Sequence, residues 1–289
     1  GSPFTISQGN PREILIGEDQ NSLMFCPIRY VNVVNVDRGL ILEGSGEFYV
    51  SFRVRSQNHA ETLVSKGKSG IGKKFRLGSL PQTSPGSTRN FVSSFMATEN
   101  NTTVTISDYD INVEFVPSIG PITLDSQTFT LNAGETVILS GYTDVGNNLS
   151  GFVGALVESD KNIAVNTGNA LAGMATQEEG QDFNLDQIVP IAEVGSEYIV
   201  VKGNGSSNTE LPLVIATEDN TSVYVNGSTT PITIINAGDY FLIPTSNYQG
   251  INNQNMYITS DKPIYLYQII AGDISDATSG LNFIPPLSC

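Results

Sequence analysis

An internal repeat constrains the fold of this chain more than any other feature of its sequence. The motif Ala-Thr-Glu-Asn-Asn-Thr-Thr-Val returns as Ala-Thr-Glu-Asp-Asn-Thr-Ser-Val, and three further motifs return in the same order. The offsets, in chain order, are 123, 119, 104 and 101 residues, which indicates two related units whose loops shorten in the second. The paired segments are residues 72–75 and 195–198, 97–104 and 216–223, 131–138 and 235–242, and 159–164 and 260–265.

The hydrophobic periodicity predicts β-strands in both units. Short β-branched and aromatic runs alternate with Asn-Gly, Asn-Asn, Ala-Gly and Pro-rich turn signals, which is typical of a sandwich or barrel. We therefore predict an all-β chain of two related β-sandwich-like units packed together. A β-propeller is the alternative, although a blade needs only about 40–50 residues. The predicted strands include residues 48–55, 103–106, 135–139, 222–225, 239–243 and 263–270.

Two of the repeated motifs read as turns between strands. Asn-Ala-Gly-Asp/Glu has residue types that tolerate positive φ, and the second Asn of Ala-Thr-Glu-Asn/Asp-Asn-Thr is expected in the left-handed region. Three of six Asn-x-Ser/Thr sequons fall in such turns, so we interpret them as turn chemistry and not as glycosylation sites. Residues 177–188 are the best candidate for an amphipathic helix and fit a loop equally well.

These patterns divide the chain into four parts. Residues 1–20 begin with Gly-Ser-Pro, typical of a cloning scar, and continue as an arm. Residues 21–60 contain N-terminal strands and a possible partial repeat, since residues 45–50 resemble the repeated segments 159–164 and 260–265, which both begin Ser-Asp-Lys. Residues 61–180 form repeat one and residues 181–289 repeat two. No apolar run reaches the ~18 residues of a membrane span, and no signal peptide is visible.

Charge is distributed unevenly along the sequence. The net charge of −15 argues against nucleic acid, because binding phosphates requires clustered Lys and Arg. Residues 1–89 nevertheless hold 11 basic and 7 acidic side chains, whereas residues 90–289 hold 3 and 22. The basic cluster predicts an anion site for an acidic glycan, and the alternative is a solvated face paired with the acidic repeats. Its candidate ligand residues are Arg53, Arg55, Lys66 and Lys68, with Tyr142 in the long loop of residues 141–151.

Other candidate sites have less support in the sequence. Asp182 and Asp186 could ligate Ca²⁺, a cation that takes carboxylate oxygens, although no Asp-x-Asp-x-Asp-Gly loop is present and surface carboxylates are the default. The lone histidine, His59, is interpreted as a solvated loop residue, which leaves little for a catalytic triad. Cys26 and Cys289 could form a disulfide in an oxidising compartment. The alternative is a buried Cys26 and a terminal Cys289 whose partner lies elsewhere.

Beside the repeats, five segments form a distinctive set of strand-and-turn patterns. They are Phe-Tyr-Val-Ser-Phe-Arg at 48–53, Glu-Thr-Leu-Val-Ser-Lys-Gly at 61–67, Ile-Gly-Lys-Lys-Phe-Arg-Leu at 71–77, and residues 181–190 and 194–198. Together they resemble the N-terminal domain of IgG Fc-binding proteins over roughly residues 45–287. The family resemblance implies a secreted module, and the Asn-rich composition is similar to its bacterial branch, found in large adhesins that gliding Bacteroidota export by type IX secretion. It implies no catalytic residues, and IgG binding does not follow from a family name.

The sequence therefore predicts a non-enzymatic, extracellular ligand-binding module of a large cell-surface adhesin. Its partners would be a surface polysaccharide or glycoprotein and the neighbouring domains of the same long chain. A structural spacer or cap in a surface fibre is the first alternative, and a carbohydrate-active enzyme module is the second. No cofactor is required by any motif, and Ca²⁺ is the one candidate.

Overall fold

The computed structural model describes residues 3–16, 26–56, 59–116, 125–174, 181–271 and 279–287. These residues contain seventeen strands, five short 3-10 turns and no α-helix. The 3-10 turns are Ile28–Tyr30, Gly67–Gly70, Gly146–Leu149, Ile191–Glu193 and Thr245–Asn247. The strands are β1 (Val34–Asn35), β2 (Ser51–Ser56), β3 (His59–Val64), β4 (Ile71–Arg76), β5 (Asn90–Ala97), β6 (Thr102–Ser107), β7 (Ser126–Leu131), β8 (Thr136–Tyr142), β9 (Leu156–Ala172), β10 (Asp182–Ile188), β11 (Gly195–Val201), β12 (Pro212–Ala216), β13 (Thr221–Val225), β14 (Thr233–Ile235), β15 (Tyr240–Leu242), β16 (Asn255–Ala271) and β17 (Ser279–Phe283).

Two antiparallel sheets with the same strand order form the two units. In the first, the order β7-β6-β9-β5-β8 is extended by β1 beside β8, and β4 and β10 pair with the other side of β9. In the second, the order is β14-β13-β16-β12-β15, and β11 and β17 pair with β16. Each unit is thus built on one 17-residue strand that has partners on both sides. The prediction of two related sandwich-like units is confirmed.

The propeller alternative is wrong, because the main sheets have eight and seven strands and not the four of a blade. Strand pairing divides the chain between Ile188 and Gly195, since β10 belongs to the first sheet and β11 to the second. The domain boundary at residue 181 stays a prediction. No helix among the described residues is long and apolar enough to cross a membrane.

The repeated motifs make the same hydrogen bonds in both units. Asp160 Oδ1 accepts from the Thr103 amide at 2.8 Å, and Asp261 Oδ1 accepts from the Ser222 amide at 2.8 Å. The repeated asparagines Asn101 and Asn220 both have a φ of 54°, as the sequence predicted. The repeated aspartates and asparagines therefore stabilise the same turns in both units, so folding explains their presence without a ligand.

The two units share a hydrophobic core. One buried cluster joins Phe75, Phe91 and Phe95 of the first unit to Tyr265 and Tyr267 of the second. A second cluster lies within the second unit alone. The buried Tyr265 hydroxyl donates to the carbonyl of Val189 at 2.7 Å, so a hydrogen bond also holds the connection between the units against the second unit.

The expectation of a helix or loop over residues 177–188 is wrong where the structure describes this segment. Residues 182–188 form strand β10, and its polar residues Asp182, Asn184 and Asp186 point inward while Phe183 and Leu185 are half-buried. This reversal of the usual apolar-in pattern has a cause in a neighbouring hairpin. Strands β2 and β3 form a separate two-stranded sheet that packs on β10.

Candidate binding surface

The β2–β3 hairpin is attached to β10 by buried polar groups. Asp182 Oδ1 accepts a 2.7 Å hydrogen bond from the Ala60 amide at the start of β3. Beyond the end of β3, the Lys66 amide donates to Gln187 Oε1 at 2.6 Å, and its ammonium group lies 3.1 Å from Asp186 Oδ2. The hairpin is therefore held at both ends of β3.

Asp186 is the central acceptor of this attachment. Its carboxylate accepts from the Lys66 ammonium, from its neighbour's amide at 2.8 Å and from the Phe283 amide of β17 at 3.0 Å. It thereby joins the hairpin, the first unit and the second unit. Burial nevertheless raises the pKa of Asp186, because desolvation outweighs the attraction of Lys66.

Glu61 and His59 lie on the same side of β3 as these contacts. Burial raises the pKa of Glu61 to about 7, even though the Thr62 and Leu185 amides stabilise its charged form. His59 Nδ1 is 2.9 Å from the Gln181 carbonyl oxygen, and the His59 ring meets the Phe183 ring edge-on. The interpretation of His59 as a solvated loop residue is wrong, because it begins β3 and is half-buried against the first unit.

The opposite side of the hairpin presents its arginines to solvent. Arg53 pairs with Thr62 and Arg55 pairs with Ala60 in the strand register, and all four residues are exposed. Residues two apart on a strand share a face, so the two guanidinium groups project from the same side. Lys68, in the 3-10 turn after β3, is exposed as well.

Three other basic residues of this segment contact carboxylates. Lys66 pairs with Asp186, as described, and Lys74 Nζ lies 2.9 Å from Glu158 Oε1. Arg76 is almost completely buried and donates to Asp108 Oδ2 at 2.8 Å. Lys66 thus belongs to the attachment of the hairpin and not to its outward face.

Tyr142 lies far along the chain from the hairpin, at the end of β8. Its side chain is half-buried, and its backbone carbonyl accepts a 2.8 Å bond from the Asn148 amide group. Asn148 is itself buried and also donates to Glu114, so the loop after β8 is tied to the first unit. A ligand role for Tyr142 stays a prediction.

The metal and disulfide candidates also stay predictions. Asp182 and Asp186 are brought to one side of β10, where amide and ammonium donors surround their oxygens. Within the described ranges, no group of three or more His, Cys, Asp or Glu side chains is arranged to hold a metal ion. Cys26 has a half-buried thiol near the Pro27 carbonyl, and burial raises its pKa. Cys289 lies outside the described residues.

Sequence reasoning missed that the buried carboxylates of β10 hold the basic hairpin. The available signal was the clustering of Asp182 and Asp186 with even spacing, which places both on one face of a strand. Assigning residues 177–188 to a helix or loop concealed that spacing. The sequence therefore indicates surface carboxylates, with a Ca²⁺ site as the alternative, whereas in the structure both aspartates contact the basic segment directly.

A family model matches most of the chain. The family model described as IgGFc binding protein matches residues 60–289, which run from the second residue of β3 past the end of β17 and leave β1 and β2 outside. No curated protein and no solved structure matches the chain.

Proposed function

Because the chain belongs to the IgGFc-binding family, whose domains are binding modules and typically extracellular, we propose that it is a non-enzymatic ligand-binding module of a large cell-surface adhesin. We propose further that its ligand is an anionic surface polysaccharide or glycoprotein. The outward face of the β2–β3 hairpin is the proposed contact surface, with Arg53, Arg55 and Lys68 as its cations. Secretion by the type IX route of a gliding bacterium is part of the same proposal.

The exposed arginine pair on a firmly attached hairpin is the observation that carries this proposal. Guanidinium groups bind carboxylate and sulfate oxygens through paired hydrogen bonds. A strand that is fixed on its other side holds them with little loss of conformational freedom on binding. The charge of −19 over residues 90–289 makes other parts of the molecule poor surfaces for an anion.

Charge reversal tests the proposal directly. The chain would be screened on an array of sulfated, carboxylated and neutral glycans and then compared with Arg53→Glu/Arg55→Glu. The matched control is Lys73→Glu/Lys262→Glu, which has the same change in net charge at two lysines outside the hairpin that donate to backbone carbonyls.

We expect an anionic glycan to bind and the arginine variant to lose at least about tenfold in affinity, since two charge-assisted contacts disappear. The lysine variant should retain most of the affinity. Equal losses in both variants would mean that net charge alone attracts the ligand. The absence of any hit on the array would favour the structural spacer over the adhesin.

A further inference from the structure

Strands β8 and β15 occupy the same place in the two units but differ in what covers them. The Asn-Ala-Gly-Asp/Glu turn precedes both, so Thr136 corresponds to Tyr240 and Ile138 to Leu242. Five of the seven residues of β8 are buried, whereas all three residues of β15 are only half-buried. Because β8 and β15 have corresponding neighbours within their sheets, this difference in burial must come from what lies on their outer sides.

Two segments cover the outer edge of β8: strand β1 of the N-terminal segment, and Val116, whose amide donates to the Ser140 carbonyl at 2.7 Å. Strand β1 pairs antiparallel with the outer edge of β8, and the Asn32 amide donates to the Ile138 carbonyl at 2.7 Å. Strand β1 also lies close to β7, the strand at the far end of the same sheet. An extended piece of chain thus completes the first unit.

The corresponding edge of the second unit has no such strand. The Ala216 amide donates to the Asp239 carbonyl, and the Ile243 amide donates to the Pro212 carbonyl. These two bonds show that the backbone groups of residues 239, 241 and 243 point toward β12. In an antiparallel ladder every second residue points its backbone groups the other way. The amides and carbonyls of Tyr240 and Leu242 therefore point away from β12, and within the described residues no strand pairs with them.

A cleft of about 380 Å³ lies beside this edge, between the two units. Tyr240 and Asp239 line it on the side of the second unit, and Asp108 and Asp110 line it on the side of the first. Arg76 pairs with Asp108, while Asp110 and Asp239 are exposed at the rim. The rim consequently favours a cationic side chain in whatever lies along β15.

We propose that the outer edge of β15 binds an extended segment of a partner polypeptide by strand addition, as β8 binds β1. Main-chain bonds to Tyr240 and Leu242 would provide affinity, and the acidic rim would select Lys or Arg beside the paired residues. An unprotected edge is otherwise a site of uncontrolled association. This surface is independent of the hairpin face and of the function proposed for it.

The chain itself supplies the probe. A fluorescent peptide of residues 28–38, Ile-Arg-Tyr-Val-Asn-Val-Val-Asn-Val-Asp-Arg, contains the strand that covers β8 and carries two arginines. Its binding to the full chain would be followed by fluorescence anisotropy, and backbone amide exchange would be measured by NMR with and without the peptide. A second peptide, with both arginines replaced by Glu, tests the contribution of the acidic rim.

The edge itself is tested by Leu242→Pro against Leu242→Ala. Both variants lose the leucine side chain, but only proline removes the outward amide, and proline is tolerated where the amide of an edge strand faces outward. We expect saturable binding, a loss of about tenfold for Leu242→Pro relative to Leu242→Ala, and weaker binding of the Glu peptide. If Leu242→Pro does not fold, the exchange data on the unaltered chain decide.

Protection of the Tyr240 and Leu242 amides by the peptide would support the proposal. Protection confined to β8 would show strand exchange in the first unit and overturn it, as would a lack of binding. Self-association that protects the same two amides without peptide would assign the edge to a second copy of the chain, and so overturn the assignment to a different partner.

Discussion

Replacing Asp186 by alanine tests whether the buried carboxylate joins the hairpin to both units. The side chain is buried and accepts from the Lys66 ammonium, at 3.2 and 3.1 Å, and from the Phe283 amide at 3.0 Å. Alanine removes all of these acceptors at once. The Phe283 amide and the ammonium group, which is 22% exposed, then have to find water or remain unsatisfied.

The magnitude follows from the number and kind of these bonds. Hydrogen bonds to a charged group contribute about 1.5–3 kcal/mol each, and removing one partner of a buried ion pair costs about 3–5 kcal/mol. The raised pKa of Asp186 shows that burial already opposes the charged form, which offsets part of this stabilisation. We therefore expect a loss near the lower limit, about 3 kcal/mol in the free energy of unfolding.

Urea unfolding at pH 7, followed by far-UV circular dichroism, measures this loss. The control is Glu158→Ala, whose carboxylate pairs with Lys74 at 2.9 Å while both side chains are about half exposed. An exposed pair of this kind contributes at most about 1 kcal/mol. Limited proteolysis should cut the Asp186→Ala variant first in the hairpin. Equal destabilisation by both variants, or a loss below about 1 kcal/mol for Asp186→Ala, would refute the reasoning.

Three further predictions concern pH, backbone geometry and metal. The raised pKa of Glu61 means that the native state binds the Glu61 proton more tightly than the unfolded state does. The resulting gain in the free energy of unfolding is complete below pH 4.5 and is lost as the pH rises through about 7. Urea midpoints at pH 5 and pH 8 should therefore differ less in Glu61→Gln than in the unaltered chain. Gly154→Ala places a Cβ 1.8 Å from a carbonyl oxygen of the second unit at a φ of +83°, so its melting temperature should fall well below that of Gly227→Ala, where φ is +73° and no atom lies within 4 Å. Ca²⁺ should leave the melting temperature unchanged, because hydrogen-bond donors surround the β10 carboxylates, and a clear rise would instead show that they bind the ion.

The turns of this protein could be predicted from the sequence because their causes are local. Asn101 and Asn220 adopt positive φ. Inside the same two motifs, the Thr102 hydroxyl donates to the Glu99 carbonyl and the Thr221 hydroxyl to the Glu218 carbonyl. Strands such as β6 and β13 alternate buried and more exposed positions, as their sequences indicate. The repeat then extends these local predictions to a whole unit, which is why the fold class followed from the sequence.

Strand β10 could not be predicted in this way because its partners are distant in sequence. Its buried positions are polar, and donors distant in sequence satisfy two of them. The Ala60 amide of the hairpin donates to Asp182, and the Lys66 ammonium and the Phe283 amide donate to Asp186. Read locally, Asp182 and Asp186 resemble exposed turn carboxylates. A pattern of alternating polarity thus indicates a strand but does not reveal which face is buried when the neighbouring surface is itself polar.

The basic segment divides into two groups of side chains with different consequences. Lys66, Lys74 and Arg76 each contact a carboxylate, so part of the excess positive charge of residues 1–89 attaches this segment to the acidic units. Arg53 and Arg55 project from the other side of the hairpin. The charge counted along the sequence therefore overstates the positive charge that the outward face of the hairpin exposes. The outward arginines depend on the inward contacts, because a hairpin released from β10 would no longer hold them in fixed geometry. For that reason Asp186→Ala should lower the affinity for an anionic ligand at the arginine face, although Asp186 lies beneath that face. Glu158→Ala should leave this affinity unchanged.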